Sequence, residues 1–294
     1  DGRVLEGGSG GMATYALNVI RRLPEVKFWV LHQKRIEIEK EIERRNVVKI
    51  QVPGGGKWYT DQIIIPKVLE RLGNPVYWQP ANMGVPVFTK SKVLLTVHDV
   101  IPAFFDDYFS ESRFPLAAKL LYKARVRLGM WKAERIMVDS PMTRTDLVRR
   151  FWVDGSKVQV VPPGVSLQVS RIKKQETIEV LRKYGLEQRK YMLNHGGMDR
   201  RKNLERLVQA FAKTQETGTK NRYKLVITGE DTGVRKNLEL IIKNLQLPGR
   251  VIFTGRVTDE EMRVLVSNAR LFVYPTRAEG FGLPLLEAMA AGVP

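Results

Sequence analysis

The sequence predicts an α/β protein built as two halves, each a parallel sheet with helices on its faces. Three observations predict it. Short β-branched and aromatic runs alternate with helical patterns along the chain. The alternation falls into two series, one before and one after the "VVPPGV" of Val160 to Val165. Clusters of glycine and charge follow the strand-like runs, and open parallel sheets bind ligands at the carboxyl ends of their strands.

In the first series, Gly11 to Leu23 carries Tyr15, Val19 and Leu23 at four-residue steps, which predicts a helix. "VKFWVLH" (Val26 to His32), "VVKIQVP", "PVYWQP", "KVLLTVHD" and "RIMVDS" read as strands. Between the last two lies "FPLAAKLLYKARVRLGMWKAER". Here Lys119, Lys123 and Arg127 form a basic stripe beside Leu116, Leu120, Ala124 and Leu128. Such a helix can lie on an anionic membrane, or pack on a sheet with its basic face in water, and both readings stay open.

Pro162-Pro163-Gly164 marks the boundary, which gives domains of residues 1–165 and 166–294. In the second series "YMLNH" ends in Gly196-Gly197. The helix after it carries Leu204, Leu207, Val208 and Phe211 at offsets i, i+3, i+4 and i+7. "KLVITG", a helix to about Leu245, and "RVIFTG" follow. Thr258 and Glu261 predict a capping box for the next helix. "RLFVYP" is the last strand, and Pro284 stands where a first helical residue would.

Composition narrows the classes. With 294 residues, 43% of them hydrophobic, the chain can bury the cores of about two domains. It has no cysteine, which excludes disulfides and thiolate metal sites and fits a reducing compartment. No apolar run approaches the ~20 residues of a membrane span. The net charge of +18 favours polyanions or phosphorylated small molecules, although a solvated basic surface would give the same number.

Four loops carry candidate chemistry. In "YPTRAEGFGLPLLEAMAAGVP", Gly280 and Gly282 allow close backbone approach, and a helix start near Leu283 offers free amides to an anion. Glu279 in the loop and Glu287, expected in the first turn, suit paired sugar hydroxyls; the plainer reading is a solvated Glu279 and a Glu287 that complements the helix dipole. In "HGGMDRRKNLERL", Arg200, Arg201 and Lys202 at a helix start make a phosphate site or a solvated basic turn. "GGSGGMATY" is a glycine loop before a helix, able to cradle phosphate or simply to turn. In "TVHDVIP", His98 follows a strand as an acid, a base or a structural histidine.

Together these motifs resemble the family-4 glycosyltransferases, retaining enzymes of GT-B fold in which two Rossmann-like domains face a cleft. "AEGFGLPLLEAMAAGVP" is similar to the family signature of two glutamates separated by seven residues. "GGMDRRKNLERLVQAF", "VIFTGRVTDEEMRVLVSNARLFVYPT", "VHDVIP" and "GMATYALNV" fall in the family's order. The resemblance implies an acceptor-side domain at 1–165 and a nucleotide-sugar donor domain at 166–294. It implies that Glu279 contacts the transferred sugar with Gly280, Phe281, Gly282 and Leu283 around it, and that Glu287 holds the ribose. Arg201 and Lys202 would neutralise the diphosphate, Gly11 would sit under the phosphates, and His98 would lie near the reacting sugar.

The resemblance further implies no metal and no cofactor beyond the nucleotide-sugar co-substrate. It points toward a mannosyl donor, a glycan or polyprenyl-linked acceptor, no nucleic acid, and a cytoplasmic enzyme at the inner face of the membrane. Two departures stand out: Gly197 occupies the place of an arginine common five residues before the lysine, and Ala13 replaces the second glycine of the amino-terminal loop. A family member should also have a strand before Asp1 and more elements after Pro294, so the chain reads as a fragment. Two alternatives stay open: a glycoside hydrolase using Glu279 and Glu287, and a basic nucleic-acid-binding protein.

Overall fold

The structure, a computed structural model, describes residues 1–6, 11–36, 38, 47–110, 112–165, 172–216 and 223–294. Residues 7–10 of the amino-terminal glycine loop and 166–171 beside the expected boundary lie outside the described residues. The chain divides into two compact units, Asp1–Pro163 and Gly164–Pro294.

In the first unit, α1 (Gly11–Arg22) precedes two parallel strands, β1 (Phe28–His32) and β2 (Val47–Gln51). After α2 (Ile65–Arg71), four further strands form a separate parallel sheet in the order β3 (Tyr77–Gln79), β4 (Val93–Val97), β5 (Arg135–Val138) and β6 (Val158–Val160). Helices α3 (Pro115–Lys132) and α4 (Pro141–Arg150) lie between β4 and β6 in sequence. The amino-terminal residues tie the two sheets together: the Asp1 ammonium donates to Trp78 O at 2.6 Å, and Gly2 N donates to Leu31 O at 2.8 Å. Beside them an apolar cavity of about 390 Å³ is lined by Ala16, Ile20, Leu31, Trp78 and Leu94.

Alternation decides which residues of this sheet are buried. Leu95, Val97, Ile136 and Val138 point to one face and pack with Ile65 and Leu69 of α2, with Val126 and Met130 of α3, and with Leu147 of α4. The stripe expected on α1 is corrected. Ala13, Tyr15, Ala16 and Ile20 are buried, the helix ends at Arg22, and Leu23 is exposed. A strict four-residue step drifts about 40° per step on a 3.6-residue helix, whereas the 13, 16, 20 spacing stays on one face.

The second unit is one sheet covered on both sides. Its strands are β7 (Tyr191–His195), β8 (Lys224–Thr228), β9 (Val251–Gly255) and β10 (Leu271–Phe272), parallel in the order β10-β7-β8-β9. Tyr191, Leu193 and Val226 face a core shared with α5 (Lys174–Lys183) and α8 (Asp259–Asn268). Leu225 and Ile227 face the opposite core, formed by Leu204, Leu207, Val208 and Phe211 of α6 (Leu204–Glu216) and Leu238 of α7 (Arg235–Asn244). The predicted stripe of α6 is therefore the one that is buried.

Two details differ from the expected ends. The strand "RLFVYP" is regular only over Leu271–Phe272, although Val273 N still reaches Leu193 O at 2.8 Å before the chain turns at Pro275. The last helix, α9 (Leu283–Ala290), begins at Leu283, so Pro284 is its second residue. Its first turn carries no acidic residue, which places Glu287 one turn further in than expected. Among the described residues no helix is long and apolar enough to cross a membrane.

Candidate functional site

The second sheet reverses its build direction at β7, because β8 and β9 extend one way and β10 adds on the other side. Ligands of open α/β sheets bind outside the carboxyl ends of the strands at such a reversal. The segments that follow β7 and β10 meet at this place.

Lys202 stands in a short 3₁₀ turn, Arg200–Lys202, whose start is capped by Asp199 Oδ1 accepting from Arg201 N at 2.9 Å. Lys202 is only 6% exposed, and its Nζ donates to Glu279 Oε1 at 2.7 Å and to Tyr274 Oη at 2.8 Å. The ammonium also lies 4.7 Å from the centre of the Tyr274 ring. Arg201 Nη1 reaches Glu279 Oε2 at 3.2 Å, and Arg201 Nη2 reaches Asp199 Oδ2 at 3.2 Å. Thr276 Oγ1 donates to Glu279 Oε1 at 2.9 Å. Two cations and a hydroxyl thus converge on one carboxylate.

Local backbone makes that convergence possible. Gly196 has φ +136°, and a Cβ there would stand 3.0 Å from Lys202 Nζ, so the lysine passes where a side chain would be. Asn203, in the left-handed region at φ 58°, ends the turn and donates from Nδ2 to Pro275 O at 3.1 Å, which fixes one loop to the other. Gly282 takes φ +96° immediately before α9. Gly280, Phe281, Gly282 and Leu283 therefore form the approach to a helix start at which Pro284 has no N–H and Leu285 N donates to Gly282 O at 3.0 Å.

The electrostatics follow from these contacts. Burial pushes the Glu279 carboxyl up, but the Lys202 hydrogen bond and the charges of Lys202 and Arg201 outweigh it and hold the group below its ordinary value. Glu287 is shifted the other way, by burial first and then by the charge of Asp259. Among the described residues its carboxyl makes no hydrogen bond or ion pair. His195, the last residue of β7, is lowered to about 4 by burial and then by Lys202, so it is neutral near pH 7; its Nδ1 pairs with Thr228 Oγ1 at 2.7 Å. Among the described residues no three His, Asp or Glu side chains cluster as metal ligands.

In the first unit, His98 follows β4. Its Nδ1 lies 2.7 Å from Asp139 Oδ2 and its Nε2 lies 3.0 Å from Pro80 O. Both ring nitrogens face acceptors, so both can be satisfied only when both carry hydrogen, as in the imidazolium. Burial alone would lower the His98 pKa, but the Asp139 hydrogen bond and charge, with the Pro80 carbonyl, raise it above its ordinary value. The Tyr15 ring packs edge-on at 5.0 Å. Gly11 opens α1, and a Cβ there would meet nothing within 4 Å.

Of the expected residues, Arg201, Lys202 and Glu279 are in direct contact, and Gly280, Phe281, Gly282 and Leu283 adjoin them in the chain. Glu287 follows on α9, while His98 and Gly11 belong to the first unit. Tyr274, Thr276, His195 and Asp139 escaped the sequence reading. Tyr274 and His195 sit in apolar runs that read only as strand, whereas Asp139 had a visible signal as an acid directly after "RIMV".

Comparison with known proteins gives three findings. The profile of Glycosyltransferase Family 4 matches residues 9–169, and that of Glycosyl transferases group 1 matches residues 176–294. O-antigen chain mannosyltransferase B of Escherichia coli is 30% identical over 69% of this chain and 52% of its own length; O-antigen chain mannosyltransferase RfbU of Salmonella typhimurium is 25% identical over 78% and 57%. The chain thus spans about half the length of these curated relatives. The crystal structure of Anabaena HepE in complex with UDP and glucose superposes with a TM-score of 0.71 at 15% identity, covering 97% of this chain and 76% of that one. That likeness shows the fold, the two-unit α/β architecture of GT-B glycosyltransferases.

Proposed function

The chain belongs to glycosyltransferase family 4, and on that premise we propose that it transfers a hexosyl group, mannosyl in the first instance, from a nucleoside-diphosphate sugar to a glycan or polyprenyl-linked acceptor with retention of configuration. The observation that carries the reading is the convergence of Lys202 and Arg201 on Glu279 beside the start of α9, at the reversal point of the second sheet. The names of the relatives, which are mannosyltransferases, support the choice of sugar.

In this reading the site holds its cations on a carboxylate that stands in for a phosphate. When the donor enters, Lys202 and Arg201 turn to the diphosphate and release Glu279 to accept hydrogen bonds from the sugar hydroxyls. Glu287, raised in pKa and without a partner among the described residues, accepts from the ribose. The bond from the anomeric carbon to the diphosphate breaks, and the negative charge that develops on the leaving oxygen meets Lys202 and Arg201. The acceptor oxygen bonds to the same carbon on the face the diphosphate leaves, and its proton passes to the departing phosphate. Side-chain cations supply the charge in this scheme, so it needs no divalent metal. The roles of His98 and Gly11 rest on the family resemblance alone. A glycoside hydrolase would have no use for the paired cations, and the family match displaces both that alternative and the nucleic-acid-binding one.

The test is calorimetry with UDP, GDP, UDP-glucose and GDP-mannose. Lys202→Ala should weaken diphosphate binding by about 1–3 kcal/mol, the scale of charge-assisted hydrogen bonds. Unchanged affinity would remove Lys202 from the site. Turnover that stops on chelation and returns only with magnesium or manganese would overturn the metal-free scheme.

A further inference from the structure

Tyr274 stands where the two loops of the cation cluster meet, and its backbone is fixed on both sides. Just before it, Val273 N donates to Leu193 O at 2.8 Å and Val273 O accepts from Asn194 Nδ2 at 2.7 Å, which ties the chain to β7. Just after it, Pro275 O accepts from Asn203 Nδ2 at 3.1 Å. The ring is half-buried. It stacks on Phe272 with 5.9 Å between centres and 27° between planes, and it packs against the core of the second unit. A Cβ at Gly282 would lie 3.9 Å from Tyr274 Cε1, so the ring also reaches the start of α9.

Packing of this kind accounts for a phenyl ring and leaves the hydroxyl to be explained. Tyr274 Oη accepts from Lys202 Nζ at 2.8 Å, while Glu279 Oε1 accepts from the same nitrogen at 2.7 Å. Burial, and then the charge of Glu279 and a hydrogen bond to it, push the phenol above its ordinary pKa, so it keeps its proton at neutral pH. A protonated phenol can accept from an ammonium and still give its own hydrogen to a carboxylate. Tyr274 therefore bridges the cation and the anion of one ion pair. Thr276 differs: its Oγ1 faces Glu279 Oε1 and the carbonyl oxygens of Arg201 and Ala278.

The donor-site reading contains a step that this bridge governs. Lys202 has to leave Glu279 for the diphosphate, and lysine carries its charge on a long, flexible stem. With Glu279 as its one partner, the ammonium would have to be ordered afresh as the donor enters, at a cost in side-chain entropy. The Tyr274 hydroxyl does not move with the exchange, because the stack on Phe272 and the bonds at Val273 and Pro275 hold it. We propose that Tyr274 is a positioning residue of the transfer reaction, whose hydroxyl keeps the Lys202 ammonium in place while it exchanges Glu279 for the diphosphate. The inference deepens the donor-site reading and rests on it. A packing residue costs the same whatever its polar neighbours are. A positioning residue acts through the group it positions, so its effect should vanish without Lys202 and grow without the Glu279 charge.

The test is a set of double-mutant cycles read by calorimetry with GDP and UDP. Tyr274→Phe keeps the stack and should weaken the tighter diphosphate by about three- to fivefold. In the Lys202→Ala background the same change should move affinity by less than about 1.5-fold, and in the Glu279→Gln background the loss should grow to about tenfold. The Lys202 ammonium signal in nitrogen-15 NMR, assigned by its absence in Lys202→Ala, should stay sharp when diphosphate binds the wild type and broaden in Tyr274→Phe. Tyr191→Phe removes a buried hydroxyl of the same sheet that donates to Leu265 O at 2.6 Å; it should lower the melting temperature and leave diphosphate affinity as it was. A wild type that binds neither diphosphate, or Lys202→Ala with unchanged affinity, sinks the donor-site reading and this proposal with it. Where Lys202→Ala does weaken binding, the proposal alone is overturned by Tyr274→Phe that binds as wild type, by an equal loss with and without Lys202, or by an equal loss from Tyr191→Phe.

Discussion

Two histidines occupy equivalent places in the two units and carry opposite electrostatics. His98 follows β4 of the first sheet and His195 closes β7 of the second, both at the carboxyl end of a buried parallel strand. Burial disfavours the charged form of each. His98 meets the Asp139 carboxylate, which overturns that penalty, while His195 meets Lys202, which adds to it. Strand position therefore sets where a side chain stands, and the loop of a neighbouring element sets its charge. The second unit keeps a neutral imidazole beside two cations that answer to a carboxylate. The first unit compensates its histidine internally. Of these two histidine neighbourhoods, the second is the one that holds cations an anionic ligand can recruit.

The largest expected effect breaks this contrast with pH. His195 has a folded pKa of about 4 against an ordinary 6.5, so the unfolded chain binds the extra proton first as pH falls. Its contribution is complete above pH 6.5 and is lost as pH falls through about 4, a change of about 3 kcal/mol by linkage. His98 runs the other way: its folded pKa is raised, so its contribution is complete below the unfolded value and disappears as pH rises through the folded one. Histidine NMR titrations read both. Asp139→Asn should drop the His98 pKa below its ordinary value, since burial is then opposed only by weaker partners. An unshifted His195, or a His98 indifferent to Asp139→Asn, would dissolve the comparison.

A smaller effect sharpens the same contrast from the ligand side. Glu279→Gln removes the carboxylate that occupies Lys202 and Arg201. Bare nucleoside diphosphate should then bind tighter, by about 1–2 kcal/mol, as charge-assisted contacts are freed for phosphate. Sugar transfer should fall, because the same residue is assigned to the sugar. Asp139→Asn should leave diphosphate affinity unchanged. Weaker diphosphate binding by Glu279→Gln would mean that the carboxylate organises the cations rather than competing for them.

What the sequence made legible follows from how local each feature is. The strand–helix alternation, the α6 stripe of Leu204, Leu207, Val208 and Phe211, and the Thr258–Glu261 box depend on neighbours within a few positions, and the structure has them. The orientation of α3 was not legible, because the helix offers apolar residues on two faces. Which face is buried depends on β4 and β5, and the sheet takes Tyr122, Val126 and Met130. The contact of Lys202 with Glu279 spans 77 residues, so spacing alone left each open between a ligand-binding role and a solvated side chain; the family resemblance assigned both to the donor, but not to one another. Tyr274 and Thr276 complete that cluster through a turn at Pro275 that no short-range pattern encodes.

The smallest expected effect separates the stability of the second unit from its site. Thr258 Oγ1 accepts from Glu261 N at 3.2 Å, and Glu261 Oε2 accepts from Thr258 N at 3.0 Å, which satisfies two backbone donors at the start of α8. The other Glu261 oxygen accepts from Lys183 Nζ at 2.5 Å and from Tyr184 Oη at 3.3 Å, so the box also fastens α8 to the end of α5. Thr258→Ala removes the side-chain acceptor for Glu261 N and should cost about 1 kcal/mol in denaturant unfolding of the second unit. Glu261 keeps its contacts to α5, so the loss should stay near that of a single cap. Lys202, Arg201 and Glu279 make none of these bonds, and diphosphate affinity measured by calorimetry should match wild type. Weakened nucleotide binding in Thr258→Ala would show that α8 and the cation cluster respond as one body, and that the second unit does not insulate its site from its frame.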